Sequence, residues 1–438
     1  MLAKIKEALM GDLPAFAADP IGFVETRTLG QPAPVPVQLG PKKAVLVATP
    51  SAFRHVLVDG RDRYGKGSEQ ARLRPLLGDG LITASGDRWK AARDAVKSSF
   101  GGASLQQGIG MAMGVLCQET AMLAAREGEL LDLHALMGEL TMKMVVAALF
   151  HARMDTQQSA AVYGAGVVAH ERLTETMWRA IDLDMLLPTR KHRRFKSAIR
   201  TLETHIAAFL SNPCGPLAAL TPLQQQFGPA VLRDEAMTML VAGFETTAMA
   251  AAWLVYILAA RPDLVDWLRP EAEGASNGGW GLDPARLRDL PRCKAMVQEV
   301  LRLYPSTWWV ARQALTDDVI DGTSVPKGAT ILLSPWALHR QPAHWAEPSV
   351  FNPQRFIDTV PDKFAFVPFG MGPRTCVGAQ LALAELTALA VMMVSAFDLI
   401  PESGQVERLR PVGGVTLGPP TRGLKIRIST RKAARIAA

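Results

Sequence analysis

The chain has 438 residues, of which 48% are hydrophobic and 20% are charged, and it contains four cysteines. This balance supplies ample core-forming material, so a disordered, collagen-like or coiled-coil protein is excluded. The cysteines are too few and too scattered for a disulfide scaffold, and none forms a C-x-x-C pair, which makes a zinc ribbon or a ferredoxin-type cluster a poor fit. The formal net charge is +7. Because Lys and Arg are spread along the chain without a nucleic-acid-binding signature, we expect solvated helix faces and no nucleic-acid partner.

The predicted elements fall into a small β-rich part and a long helical part. Short apolar pieces at 35–39 and 44–48 predict a β region between about residues 30 and 60. From about residue 87 to 400, apolar residues recur at helical spacing. Helices are predicted over 89–99, 105–127, 131–150, 158–177, 190–210, 234–260, 287–303 and 377–397, with a Gly/Pro-marked connection at 213–222. Strand-like pieces near Leu417 and at 424–428 close the chain, so the fold class is mainly α with a minor β portion.

Two features bear on location. The first 20 residues lack the continuous apolar run of a signal peptide, which predicts a cytoplasmic protein. The most membrane-like stretch, residues 237–260, has an uncharged part of only 15 residues and carries Glu245. Since a bilayer needs about 20 apolar residues and penalises a buried charge, we expect a buried central helix and no transmembrane anchor.

The most informative segment is F-G-M-G-P-R-T-C-V-G at residues 369–378. Its cysteine, Cys376, lies in a Gly/Pro-rich loop directly before a predicted helix, where backbone N–H groups favour a thiolate. The glycines allow a flat group to approach the backbone, and Arg374 adds a fixed positive charge. A thiolate, open flanks and an arginine are what a haem iron with acidic propionates needs.

This segment matches the pattern F-x-x-G-x-R-x-C-x-G at all of its fixed positions, which are Phe369, Gly372, Arg374, Cys376 and Gly378. The pattern resembles the haem-thiolate loop of the cytochrome P450 superfamily. The resemblance implies a single domain with the P450 fold over the whole chain, instead of the two or three domains that length alone suggests. It also implies haem b, bound through these five residues, with Cys376 as the metal ligand.

Two further segments resemble the parts of this family that hold the cysteine loop. Glu299 and Arg302 match its E-x-x-R helix and lie on one helix face. The segment 351–356 resembles its P-E-R-F motif, with Gln354 where the family often has Glu. The resemblance implies a buried triad of Glu299, Arg302 and Arg355 that locks the loop.

The segment A-G-F-E-T-T at residues 242–247 resembles the family's oxygen-binding motif. Glu245 is an acid inside an apolar helix, which is costly unless it is paired, and Thr246 can donate to a preceding carbonyl and bend the helix. The resemblance implies a catalytic acid–alcohol pair, Glu245 and Thr246, which supplies protons for O–O cleavage. Close helix–helix packing through Gly and Thr is the alternative.

The haem propionates have four expected partners. Trp89 and Arg93 resemble the family's W-x-x-x-R helix, and Arg312 resembles a further propionate contact beside Arg374. Charge-assisted bonds from arginine to carboxylate are among the stronger hydrogen bonds in proteins. A surface ion pair is the alternative for each arginine taken alone.

The resemblance implies a monooxygenase that hydroxylates or epoxidises a hydrophobic small molecule such as a fatty acid, terpenoid or aromatic. A peroxide-driven peroxygenase and a non-enzymatic haem sensor are the alternatives. No dinucleotide fingerprint is present, so electrons are expected ultimately from NAD(P)H through a separate ferredoxin or flavodoxin-type donor, docked on the basic cysteine side of a monomer.

The substrate pocket is expected, by position, to draw on residues that are mainly apolar: Leu81, Ile82, Ala242, Phe244, Thr307, Trp308, Trp309, Val310 and Thr416. Residues 168–187 are expected to form its roof. The two tryptophans either narrow the cavity or pack outward. Arg172 and Arg179 are candidate anchors for a substrate carboxylate, with exposed helix charge as the alternative.

Overall fold

A computed structural model describes residues 10–177, 189–277, 280–402, 409–418, 420 and 423–431. Its longer helices are α1 (Pro20–Thr28), α2 (Gly86–Lys97), α3 (Gly102–Leu123), α4 (Leu133–Phe150), α5 (Thr156–Met177), α6 (Arg190–Leu210), α7 (Ala230–Ala260), α8 (Pro262–Ala275), α9 (Pro291–Leu303) and α10 (Ala379–Ala396). Shorter helical turns are Leu13–Ala18, Pro50–Arg54, His55–Asp59, Arg61–Arg63, Ser68–Ala71, Arg74–Leu77, Ser98–Phe100, Ala124–Arg126, Gly215–Leu220, Thr221–Leu223, Gln224–Phe227, Pro284–Asp289, Pro335–Leu338, Arg355–Asp358 and Gly372–Arg374. The prediction of a mainly α fold is confirmed.

The strands are short and belong to five sheets within the described residues. They are β1 (Val35–Leu39), β2 (Lys42–Val47), β3 (Tyr64–Gly65), β4 (Leu131–Asp132), β5 (Ser276–Asn277), β6 (Gly281–Leu282), β7 (Val310–Ala314), β8 (Asp318–Ile320), β9 (Thr323–Val325), β10 (Thr330–Leu333), β11 (Phe397–Pro401), β12 (Val412–Gly413), β13 (Leu417–Gly418) and β14 (Lys425–Thr430). The largest sheet has the order β1-β2-β10-β7-β3, and β10 runs parallel to β2 but antiparallel to β7. This sheet carries residues 310–312 to the wall of the central cavity.

The predicted helix boundaries differ from the observed ones where a proline or a cap intervenes. Residues 287–303 were predicted as one helix, but Pro291 starts α9 and the preceding turn, Pro284–Asp289, is a 3₁₀ helix. Residues 213–222 were predicted as a connection, yet they contain the helix Gly215–Leu220. Leu217 and Leu220 in that helix are fully buried. Burial of these two leucines in the core therefore stabilises a short helix that the glycine and proline content of the segment did not predict.

The core is built from apolar helices. By length and composition, four helices in the part of the chain that the structure describes are apolar enough to cross a membrane, namely α4, α7, α10 and the stretch that begins with α3. In this fold α4 and α10 both pack against α7. At least 72% of the most apolar window of each of these three helices is buried. Burial inside the fold thus accounts for their apolar composition.

Candidate active site

A cavity of about 500 Å³ lies beside the middle of α7 and above the start of α10. Its walls come from α5, the loop before α2, strand β7, the loop at residues 367–378 and the turn at residues 415–416. One end is lined by Cys376 and cationic side chains, and the remainder is mainly apolar. The cavity therefore joins two chemically different environments.

The loop that carries Cys376 is shaped by a glycine in a left-handed conformation. Gly372 has φ +72°, and a Cβ atom there would lie 2.1 Å from the backbone oxygen of Leu57. The Cys376 N–H donates to the carbonyl of Phe369 at 3.0 Å, and the Thr375 hydroxyl donates to the carbonyl of Gly372 at 2.7 Å. These bonds close a compact loop whose cysteine is directed to the cavity wall.

Cys376 is solvent-accessible where it lines the cavity, and protein atoms surround its sulfur closely enough to affect its ionisation. Burial raises the pKa of this thiol, while the backbone N–H of Gly378 and the charge of Arg93 act in the opposite direction. A bound metal ion deprotonates a coordinating thiol outright. The N–H group and Arg93 are thus placed to stabilise a metal-bound thiolate.

Three arginines and one lysine line the same end of the cavity: Arg93, Arg312, Arg374 and Lys66. Burial, followed by the charge of Arg93, lowers the pKa of Arg374 to about 10. Burial, followed by Arg374, also lowers the pKa of Arg312 to about 10. The Arg374 guanidinium lies 4.1 Å from the ring centroid of Trp89. The structure thus brings together all four residues that were predicted to hold propionates.

Lys66 was missed by the sequence reasoning. Its ammonium donates to the carbonyls of Leu81, Ile82 and Ala84, and burial, with Arg374 and Arg312 nearby, lowers its pKa to about 6. Lys66 lies 303 residues before Phe369, the first residue of the cysteine motif, so no local spacing pattern includes it and tertiary structure alone reveals it.

No carboxylate forms an ion pair with any of these four side chains in the described part of the chain. Clustered, partly desolvated cations are costly without anions. A thiol beside three such arginines, and beside a lysine that a nearby anion would keep protonated, has the charge pattern that fits a haem with two acidic propionates. The residues present therefore fit the implied cofactor.

The residues of the expected triad also lie together. Arg302 Nε is 2.7 Å from Glu299 Oε2, and Arg355 Nε is 3.2 Å from Glu299 Oε1. Arg302 also donates to three carbonyls, those of His339, Pro348 and Val350. The network ties α9 to the chain segment that leads into the cysteine loop.

Glu245 and Thr246 both line the cavity, but no hydrogen bond joins their side chains in the described structure. The Thr246 hydroxyl donates to the carbonyl of Ala242 at 2.7 Å, as expected for a threonine inside a helix. Glu245 is 5% exposed, and its Oε1 lies 3.6 Å from Nδ1 of His170 on α5. The sequence reasoning did not include His170, which only the packing of α5 against α7 brings near the acid.

The predicted substrate-pocket residues that line the cavity are Leu81, Ile82, Ala242, Phe244, Thr307, Trp309, Val310 and Thr416. Trp308 is not among the lining residues. It is fully buried in a cluster with Phe16 and Ile21, and its indole N–H donates to the carbonyl of Gly414 at 2.9 Å. The structure therefore corrects the placement of Trp308, which packs away from the cavity and supports the turn at residue 414.

The predicted roof is present in part. Helix α5 contributes Gly166, His170, Leu173 and Met177 to the cavity wall, at helical spacing. Residues 178–187, including Arg179, lie outside the described residues. Arg172 is 5% exposed and is not among the lining residues. The cavity roof as described thus offers no arginine to a substrate.

A family model described as Cytochrome P450 matches residues 33–426. A putative cytochrome P450 132 from Mycobacterium tuberculosis is 30% identical over 407 residues, which cover 85% of this chain and 87% of the relative. Cyclooctatin synthase of Streptomyces melanosporofaciens is 27% identical, over 88% of this chain and 87% of the relative. Carotene epsilon-monooxygenase of Arabidopsis thaliana is 29% identical, and the alignment covers 90% of this chain and 78% of the relative.

Among solved structures, the haem domain of cytochrome P450DA aligns with a TM-score of 0.82 over 94% of this chain and 93% of that chain. The two sequences are 21% identical, so this structural similarity supports the fold and nothing further.

Proposed function

The chain belongs to the cytochrome P450 family and is a haem-thiolate monooxygenase; on that premise we propose that it oxidises a neutral, largely apolar small molecule with electrons from a separate protein. The observation that carries the proposal is the continuity of one cavity from Cys376 to an apolar chamber. A substrate in that chamber lies beside the cofactor end with little water around it.

Cys376 would bind the haem iron, and Arg93, Arg312, Arg374 and Lys66 would hold the propionates. When bound, haem supplies the iron chemistry that activates dioxygen. The chain contributes position and charge. Trp89 stacks on Arg374 at 4.1 Å and keeps its guanidinium directed along the cavity edge, where charge-assisted hydrogen bonds to a carboxylate form readily.

Thr246 and Glu245 are the residues we propose for proton supply. The Thr246 hydroxyl already donates to the Ala242 carbonyl, so its oxygen can accept a hydrogen bond from a donor in the cavity while its own hydrogen stays bound. Glu245, at the adjacent position of α7, is the ionisable acid of the pair and also lines the cavity. Proton transfer by positioned side chains of this kind contributes typically 10²–10⁴-fold.

The substrate class follows from the lining. Leu81, Ile82, Phe244, Val310 and Leu173 form an apolar chamber, and such chambers bind ligands mainly through apolar burial. The relatives of this chain include a protein named as a carotene monooxygenase, which favours a terpenoid over a fatty acid or an aromatic compound.

The electron donor we propose is an acidic ferredoxin or flavodoxin-type protein. Lys90 and Lys97 are exposed on α2, the helix that also carries Arg93 beside Cys376. A basic surface there would steer an acidic partner to the cysteine side. A cytoplasmic location is part of the same proposal.

The test is turnover by the haem-loaded enzyme with a ferredoxin, its reductase, NAD(P)H and O₂, using panels of terpenoids, fatty acids and aromatic compounds. We expect oxygenated terpenoid products that depend on both reductant and O₂. Product formation with hydrogen peroxide alone, at an equal or higher rate, would contradict the oxygenase assignment and favour a peroxygenase.

A further inference from the structure

One polar junction interrupts the apolar chamber at its roof. It consists of Glu245 on α7, His170 on α5 and Thr416 in the turn between β12 and β13. His170 Nδ1 lies 3.6 Å from Glu245 Oε1, and His170 Nε2 lies 3.3 Å from Thr416 Oγ1. All three residues line the cavity. Three separate elements thus place one acid, one imidazole and one hydroxyl at a common point.

The junction has hydrogen-bonding capacity that the protein does not use. Both of its contacts are longer than the usual 2.7–3.2 Å, and a threonine hydroxyl can donate one hydrogen bond and accept two. Glu245 Oε2 has no hydrogen-bond partner among the described residues, although the side chain is buried. A buried polar atom without a partner is costly. A ligand hydroxyl at this position, which can donate a hydrogen bond to Oε2, would reduce that cost.

The turn that carries Thr416 is firmly held. The indole N–H groups of Trp308 and Trp309 both donate to the carbonyl of Gly414, at 2.9 and 3.0 Å. The backbone N–H of Val415 donates to the Thr174 hydroxyl on α5 at 3.3 Å. The hydroxyl of Thr416 is therefore presented from a fixed backbone, and a ligand would not have to order it.

We propose that His170 and Thr416 bind a hydroxyl or carbonyl oxygen of the substrate, so that the enzyme prefers a neutral terpenoid that already carries one oxygen function. This inference rests on the proposed function. A carboxylate is disfavoured here because Glu245 lies within 4 Å of His170, so a fatty acid would not bind with its head group at the roof. A site that hydrogen-bonds a substrate oxygen rejects the analogue that lacks it, because its own polar groups stay unpaired.

The test compares terpene hydrocarbons of 10, 15 and 20 carbons with the alcohol and the ketone of each skeleton. Binding to the haem-loaded enzyme is measured by equilibrium dialysis, since an alcohol that contacts iron distorts a spectral titration. For at least one skeleton we expect the oxygenated compound to bind about tenfold more tightly than the hydrocarbon. T416V and H170L should each reduce this preference to twofold or less, with little change in hydrocarbon affinity.

The control is T238V. Thr238 lines the same cavity but lies two helical turns before Glu245 on α7, about 10 Å along the helix from the junction, so the preference should persist in this variant. T416V is isosteric and decides the question if H170L folds poorly. Three results would each overturn the inference. The hydrocarbon could bind as tightly as the oxygenated compound or more tightly, the preference for the oxygenated compound could persist in T416V, or no oxygenated compound could bind. Because haem ligation is checked separately in each variant by the reduced carbon monoxide spectrum, failure of the proposed function is distinguishable from failure of this inference.

Discussion

Arg302 and Glu299 form a fully buried ion pair in which Arg302 Nε lies 2.7 Å from Glu299 Oε2. The backbone N–H of Asn352 also donates to Glu299 Oε1 at 2.8 Å. The Arg302 guanidinium lies 5.1 Å from the ring centroid of Trp345. Because each partner is hydrogen-bonded on several sides, the pair connects α9 rigidly to the segment before the cysteine loop.

Removal of Arg302 should therefore destabilise the protein strongly. Arg302→Met leaves Glu299 buried with only Arg355 as its cationic partner, and breaking a buried pair costs about 3–5 kcal/mol. Urea unfolding should show this loss, together with a smaller haem-bound fraction. Arg126→Ala is the matched control, since Arg126 and Glu129 form an i,i+3 pair with side chains 47% and 54% exposed, and it should cost less than about 1 kcal/mol. Equal losses of unfolding free energy in both variants would contradict this stabilising role of the Arg302–Glu299 pair.

Two glycines in the cysteine loop should respond differently to alanine. Both have positive φ, +72° at Gly372 and +68° at Gly370, but only at Gly372 would a Cβ meet backbone, the Leu57 oxygen at 2.1 Å. Gly370→Ala should cost about 1–2 kcal/mol of backbone strain and leave haem-thiolate formation intact. Gly372→Ala should displace the loop and reduce the fraction with a thiolate-type carbon monoxide spectrum. A normal spectrum in Gly372→Ala would show that the loop tolerates the displacement.

Loss of the Thr246 hydroxyl should uncouple the reaction. Thr246→Val keeps the side-chain shape but removes the hydroxyl that donates to the Ala242 carbonyl. We expect about tenfold less product per reductant consumed, with more hydrogen peroxide released. Thr246→Ser retains a hydroxyl and should keep most of the coupling. Full coupling in Thr246→Val would remove Thr246 from the proton-supply role.

Glu385 should make stability depend on pH. It is 2% exposed on α10, its Oε1 has no hydrogen-bond partner among the described residues, and burial raises its pKa to about 8. Because the folded state holds a proton that the unfolded state releases, this contribution to stability is complete below about pH 4.5 and is lost as the pH rises towards 8. The loss should be on the order of 5 kcal/mol.

The measurement is the unfolding free energy of the wild type and of Glu385→Gln from pH 5 to pH 9. The variant should match the wild type at pH 5 and be the more stable protein at pH 9. Glu129→Gln, at an exposed position, should leave the pH profile unchanged. Parallel profiles for wild type and Glu385→Gln would show that Glu385 is ionised throughout.

The parts of the site that lie close together in sequence were accessible to prediction. The cysteine loop, the pair Glu299 and Arg302, and the acid–alcohol segment of α7 each occupy a few consecutive positions, so spacing reveals them. The helix 190–210 was also predicted with its observed bounds, because its apolar face is regular.

The parts built by distant contacts were not accessible. Lys66 and His170 enter the site only because tertiary packing places them there, and neither belongs to a local pattern. Trp308 and Trp309 are adjacent and chemically alike, yet one is buried against α1 and the other lines the cavity. Both residues precede strand β7, and the sequence does not show which of the two side chains meets the cavity.

The most direct test of the central claim is the carbon monoxide spectrum of the reduced, haem-loaded protein. If Cys376 binds iron as a thiolate, the wild type will show the long-wavelength Soret band of a thiolate-ligated haem. Cys376→His will then retain haem but show the shorter-wavelength band of a nitrogen-ligated haem. A wild-type spectrum without the thiolate band, or a thiolate band that persists in Cys376→His, would contradict the assignment of Cys376 as the iron ligand.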